Sequence, residues 1–149
     1  MRSFLTTCIA IAVCVSAGVG QLPGQTTAAV SATVQFGDGQ IVTVTDFSSL
    51  VGVQPGDVVN VTVQLTSDDA GQPATVATPN GGSTSIGSNV AVAGPDGCIG
   101  FGFNATTDPG PNTVIVMGAS TTVSLQFWVL DSANPQNNPP VLTPAKPRI

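Results

Sequence analysis

The chain has 149 residues and a formal net charge of −5, with eight acidic residues, three basic residues and no histidine or tyrosine. Without histidine, a Ser-His-Asp triad, a Cys-His nucleophile pair and histidine-ligated zinc are excluded. We therefore expect that the chain is not an enzyme. No Lys or Arg occurs between Gln21 and Val141, so the clustered cations that phosphate binding requires are also missing, and we expect no binding of nucleic acid.

Residues 1–20 have the pattern of a secretory signal peptide. Arg2 precedes an apolar run from Phe4 to about Val15, and small residues follow. A basic start, a short apolar run and a small-residue cleavage site direct export. The alternative is an uncleaved anchor, for which the run is short. We predict a mature chain that has no membrane span and is secreted, periplasmic or attached to the cell surface.

From about residue 26 the sequence is typical of strands and turns, with frequent Val, Thr, Gly, Asn and Pro. Apolar and polar residues alternate most clearly at residues 58–66, a period that indicates strands with one buried face. Turn sequences such as Pro55-Gly56-Asp57 separate the alternating stretches. We predict an all-β domain at residues 26–131, an antiparallel β-sandwich of about seven to eight strands, with a small barrel as the alternative. The predicted strands cover residues 30–36, 40–47, 58–66, 72–78, 89–93, 98–106, 112–118 and 121–130.

Four stretches between residues 53 and 131 carry a family resemblance: "QPGDVVNVTVQL", "GPDGCIGFGFNA", "DPGPNTVIV" and "VSLQFWVLD". Their turns and strands resemble those of the immunoglobulin-like β-sandwich modules of bacterial surface and secreted proteins. The chain departs from that pattern at Asn112-Thr113-Val114, where such modules often have an aromatic residue, so a tyrosine-corner-like lock is missing. The resemblance implies an immunoglobulin-like structural, adhesion or binding module that meets a protein or glycan at the cell surface and shares no catalytic residues.

Most aspartates fall in predicted turns, and the pair Asp68 and Asp69 is the candidate metal site. Calcium takes about six to eight oxygen ligands, often from several loop carboxylates. Together with Asp38 or Asp108, the pair would form such a site if the turns converged at one end of the sandwich. The alternative is turn chemistry, in which each Asp accepts hydrogen bonds from its own turn. We expect no other cofactor.

Cys98 is the one cysteine that remains once the signal peptide is removed. The mature domain can then form no internal disulfide and must be held together by packing. Alternation places Cys98 on the face opposite Ile99 and Phe101. Two interpretations remain open: a thiol that cross-links two chains, or a half-buried thiol packed under a loop.

Trp128, the single tryptophan, is the candidate ligand-binding residue. In "SLQFWVLD" the apolar residues Leu125 and Phe127 face one way, and Gln126 and Trp128 face the other. Three alternatives follow: a loop or the C-terminal tail covers Trp128, a bulge turns it inward, or it is exposed for a ligand. In the last case Trp128 and Gln126 would serve a carbohydrate-binding module, since sugar rings stack on aromatic faces.

Residues 132–149 contain five prolines, and they hold Lys146 and Arg148, the only cations of the mature chain. Such a segment cannot bury a core, and we predict an extended, flexible tail or linker. The sequence as a whole predicts an exported, non-catalytic immunoglobulin-like module with a structural or adhesive function. A carbohydrate-binding module is the alternative.

Overall fold

The computed structural model describes residues 30–86 and 89–144. The predicted signal peptide and the cations Lys146 and Arg148 lie outside these residues. The described chain contains ten strands: β1 (Ser31–Gln35), β2 (Ile41–Val44), β3 (Leu50–Val53), β4 (Val58–Gln64), β5 (Pro73–Ala77), β6 (Ser83–Thr84), β7 (Val90–Val92), β8 (Cys98–Asn104), β9 (Gly110–Met117) and β10 (Thr122–Val129). Two short 3-10 turns, Ser67–Asp69 and Pro135–Asn137, are the only helical segments among the described residues, and neither is long enough to cross a membrane.

The strands form two five-stranded sheets, which confirms the prediction of an all-β, sandwich-like fold. Sheet A has the order β2-β1-β4-β8-β6, and sheet B has the order β3-β10-β9-β5-β7. All pairs are antiparallel except β3 with β10, which run parallel, so the prediction of a wholly antiparallel sandwich is wrong at that pair. Within the described chain, only the β1–β2 and β9–β10 connections stay in one sheet, and the others cross between the sheets.

The core lies between the sheets and is built from the inward residues of alternating strands. In β8 the inward side chains Ile99, Phe101 and Phe103 are buried, as the sequence predicts. Phe103 stacks on Phe127 of β10, with ring centroids 4.6 Å apart and an interplanar angle of 19°. This aromatic pair joins the two sheets across the core, where each buried ring contributes about 2 to 3 kcal/mol through apolar burial.

Each of the eight predicted strands has a counterpart, and β3 and β6 are the two that the sequence did not predict. Strand β3 has the sequence Leu-Val-Gly-Val, in which apolar and polar residues do not alternate. Its inward residues Val51 and Val53 are buried, and Gly52, which faces outward, is buried too. An added Cβ at Gly52 would lie 2.7 Å from a methyl carbon of Val141. A strand covered on both faces does not show a period of two. Strand β6 has only two residues, too few for a pattern.

The segment predicted as a flexible tail packs on sheet B as far as the structure describes it. We call residues 131–144 the C-terminal strap. Leu142 forms an isolated parallel bridge with Val51 of β3. The Gly52 N–H donates to the Leu142 carbonyl at 2.9 Å, and the Leu142 N–H donates to the Leu50 carbonyl at 2.6 Å. The strap therefore covers the outer edge of β3, which would otherwise be unpaired.

Candidate functional site

Trp128 lies on the outer face of sheet B and is half-buried. Its strand neighbours in register are Gly52 of β3 and Pro111 of β9. The indole Nε1–H donates a hydrogen bond to Oδ1 of Asn138 in the strap, at 3.3 Å. Val141 covers the outer side of Gly52, which is the register partner of Trp128 on β3. The tail thus contacts Trp128, as in the first of the three alternatives, and part of the indole surface stays exposed.

Asn138 forms hydrogen bonds both with Trp128 and within the strap. Its Oδ1 also accepts a hydrogen bond from the Asp131 N–H at 2.8 Å, and its Nδ2–H donates to the Asp131 carbonyl at 3.2 Å. The side-chain amide thus pairs with both polar groups of one residue's backbone, as a neighbouring strand would. The indole bond is the longest of the three, so it is the contact that a ligand replaces most readily.

Gln126 is part of an uncharged polar row that runs across sheet B next to Trp128. Its Nε2–H donates to Oγ of Ser124 at 2.8 Å, and its Oε1 accepts from Oγ1 of Thr113 at 3.1 Å. The Thr113 N–H in turn donates to Oδ1 of Asn80 at 2.6 Å. Amides and hydroxyls beside an aromatic ring are the groups that recognise a hydroxyl-rich, uncharged ligand.

Asp69 is completely buried and serves as a lock between two loops. Its carboxylate accepts hydrogen bonds from the Ser120 N–H at 2.7 Å, from Oγ1 of Thr66 at 2.8 Å and from Oγ of Ser120 at 3.1 Å. Burial by itself raises the pKa of Asp69, but the hydrogen bonds from Ser120, Thr66 and Thr121 outweigh it and hold the pKa at about 2, below the ordinary value of 3.8. The carboxylate therefore stays ionised and joins the 3-10 turn after β4 to the β9–β10 hairpin.

The residues considered as metal ligands do not converge. Asp68 is exposed, whereas its neighbour Asp69 is buried. The strand register places the turns that contain Asp38 and Asp108 next to the start of β4, and Asp69 follows the end of β4, so these aspartates lie at opposite ends of the sandwich. Among residues 30–86 and 89–144, no group of three or more His, Cys, Asp or Glu side chains is placed to hold a metal ion. Calcium binding at Asp68 and Asp69 stays a prediction.

Cys98 is more deeply buried than the sequence predicts, with an exposed fraction of 2%. Its Sγ–H donates to Oε1 of Gln64, its partner in register on β4, at 3.1 Å. The Gln64 Nε2–H donates to the carbonyls of Leu65 at 2.9 Å and Asp96 at 2.7 Å. This arrangement supports the packed thiol over the interchain cross-link, because a second chain could reach the sulfur only after local opening.

The sequence does not predict that Gln64 is buried, because strand alternation places its side chain on the face that should be exposed to solvent. Asn112 of β9 is a second buried polar residue, and its Oδ1 accepts from the Thr106 N–H in the loop between β8 and β9 at 3.0 Å. The contacts of Gln64 with Asp96 and Cys98 join segments more than 30 residues apart, so no local pattern indicates them, whereas alternation with Val114 does place Asn112 on the inward face. We call Gln64, Asp69, Cys98 and Asn112 the internal locks, because each is a buried residue whose hydrogen bonds hold a turn or loop in place. Among the described residues, Trp128 with its polar row is the one candidate binding site.

Comparisons with other proteins bear on neither set of residues. The internal locks and the Trp128 row must therefore be interpreted from their own geometry and chemistry. No protein-family model, no curated protein and no solved structure matches this chain.

Proposed function

We propose that this chain is an exported, non-catalytic module of the immunoglobulin-like kind, with a structural or adhesive function outside the cytoplasm. The observation that carries the proposal is the use of its reactive side chains as internal locks. Asp69 binds two loops together, and Cys98 and Gln64 hold the turn before β8 against β4. Buried polar groups with complete hydrogen bonding make a fold rigid and specific, which suits a spacer or a presented surface.

The distribution of charge supports a neutral partner. All eight Asp residues lie in turns and loops, so the strands of both sheets carry no charged side chain. Carboxylates at the ends of the sandwich keep the domain soluble. The uncharged faces are left for contacts made by hydroxyl, amide and apolar groups, which fit another protein or a polysaccharide better than an ionic surface.

Removal of the gene from the producing cell tests the structural or adhesive function. We expect weaker attachment of the cells to surfaces or a weakened cell envelope, and we expect the full chain to restore the property. A chain that lacks residues 2–20 is the matched control, because it keeps the sandwich and loses the predicted export signal. Unchanged attachment and envelope after deletion would contradict the proposal, as would full rescue by the control chain.

A carbohydrate-binding module is the second candidate, and the half-buried Trp128 beside the polar row of Gln126 favours it. The test is a titration of the purified domain with plant and bacterial polysaccharides, followed by Trp128 fluorescence. We expect a saturable shift with a neutral glycan and a weaker affinity in Gln126→Ala, which keeps the fluorophore. Thr33→Ala, on the outer face of sheet A, is the control that should bind as the wild type does. No shift with any glycan rules this candidate out.

A further inference from the structure

The strap is a small unit that is bonded mostly to itself. Asp131 Oδ1 accepts from the backbone N–H groups of Ala133 and Asn134, both at 3.0 Å. The Asn137 N–H donates to the Asn134 carbonyl at 2.9 Å, and Asn138 pairs with both backbone groups of Asp131. These bonds join residues 131–138, so this part of the strap keeps its own hydrogen bonds when the strap moves away from the sandwich.

The bonds from the strap to the sandwich are fewer and lie at its edge. They comprise the Gly52–Leu142 and Leu142–Leu50 backbone bonds, the Trp128–Asn138 bond, and a 3.4 Å contact from Ser132 Oγ to Gln54 Oε1. The strap buries no residue completely, and Leu142 is 36% exposed. Segments with few buried apolar contacts open locally at a small fraction of the cost of global unfolding.

The end of β10 is anchored more firmly, which defines where the strap would pivot. The Leu130 N–H donates to the Val53 carbonyl at 2.8 Å, immediately before the strap begins at Asp131. Movement beyond this point leaves β10 in place, and it removes Asn138 from Trp128 and Val141 from Gly52. The same movement uncovers the edge of β3.

We propose that the C-terminal strap, residues 131–144, is a lid that opens as a unit about Asp131 and uncovers Trp128. Asn138 binds the indole Nε1–H, and Val141 lies over Gly52, the register partner of Trp128, so a ligand that stacks on the indole has to displace the lid, and the closed lid lowers the affinity of the Trp128 site. This consequence for binding rests on the carbohydrate-binding candidate. The opening itself does not rest on that candidate and is measured without a ligand.

Native-state hydrogen exchange of the purified domain measures the opening. The amides of Gly52 and Leu142 should exchange at least about a hundredfold faster than those of Val114 and Leu125, which are paired in the centre of sheet B, and low urea should barely change the faster rate. If all four amides exchange at one rate with one urea dependence, the strap opens only when the protein unfolds, and the proposal is overturned.

Acrylamide quenching of the single tryptophan tests whether the opening reaches Trp128. Gly52→Ala places a Cβ 2.7 Å from Val141 and should loosen the lid, and Asn138→Ala removes the indole bond. Each should raise the quenching constant by about twofold or more, as expected for a half-buried ring that becomes exposed. Gly102→Ala is the matched control, because its added Cβ would meet only ordinary contacts with Ser85. Unchanged quenching in both lid variants, with intact folding, overturns the proposal.

Glycan titration of Gly52→Ala separates the lid from the function. A glycan that binds the wild type should bind this variant several times more tightly. If quenching rises in Gly52→Ala and no glycan binds either protein, the carbohydrate-binding candidate fails and the lid stands.

Discussion

Replacement of Asp69 by Asn tests whether a buried charge holds one end of the sandwich together. The hydrogen bonds to the carboxylate lower the pKa of Asp69 from 3.8 to about 2, and because each pKa unit corresponds to about 1.36 kcal/mol, they contribute about 2 kcal/mol to the unfolding free energy. The side chain of Asp69 has no exposed surface, but its hydrogen-bond partner Ser120 is exposed, so the carboxylate lies close to solvent. Solvent screening therefore reduces the expected contribution to about 1 to 2 kcal/mol.

The sign of the pH dependence follows from the direction of the shift. The folded pKa of Asp69 is below the unfolded value, so the stabilisation is fully present above pH 3.8 and is lost as the pH falls through about 2. Asp69→Asn has no charge to protonate. The difference in unfolding free energy between wild type and variant should therefore be about 1 to 2 kcal/mol larger near pH 6 than near pH 2.

Urea denaturation followed by Trp128 fluorescence measures this difference at about pH 6, 4 and 2. Asp68→Asn is the matched control, because it removes the same charge from the exposed neighbouring residue. We expect the control to change the unfolding free energy by less than about 0.5 kcal/mol. If the wild type and Asp69→Asn differ by the same amount at every pH, the charged lock does not operate and the reasoning is refuted.

Three further changes test the packing. Gly118→Ala places a Cβ 2.7 Å from Oδ1 of Asp69 and should lower the unfolding free energy by about 1 to 3 kcal/mol in urea. Gly37→Ala meets nothing within 4 Å and should stay near the wild type, and equal effects of the two would contradict this account. Phe103→Ala should lower the unfolding free energy by about 3 to 5 kcal/mol in the same assay, since it removes a buried, stacked ring, and a loss below about 1 kcal/mol would contradict the assigned core. Cys98 should react with a thiol reagent only at the rate of local or global opening, and a reaction as fast as that of a free small thiol would show that the sulfur is accessible.

Much of the sandwich could be predicted because alternation is a local property of the chain. The phase of β8 and β10 identifies Phe103 and Phe127 as core residues and places Trp128 on the opposite face, and the structure confirms all three. Strand β3 could not be predicted in this way, because its pattern depends on Val141, which covers Gly52 from a segment far along the sequence.

Only part of the candidate site could be predicted, because the rest of it also depends on contacts between distant segments. Trp128 and Gln126 are visible in the sequence as the outward residues of a strand. Their partners Asn138 and Thr113 come from other parts of the chain, as does Asn80, which accepts from Thr113, and no local pattern joins these residues. For Asp68 and Asp69 the sequence does not indicate that the two neighbours have different environments, which arise only once the 3-10 turn forms.

The sequence by itself determined the all-β class, the phase of the main strands, the absence of histidine chemistry and the placement of negative charge in turns. These properties depend on residue type and on short-range periodicity. Only the tertiary structure decided the sheet order, the parallel pairing of β3 with β10, the burial of Asp69 and Cys98, and the closure of the strap over Trp128. Each of these depends on contacts between distant segments, and such contacts form only when both segments are packed on one core.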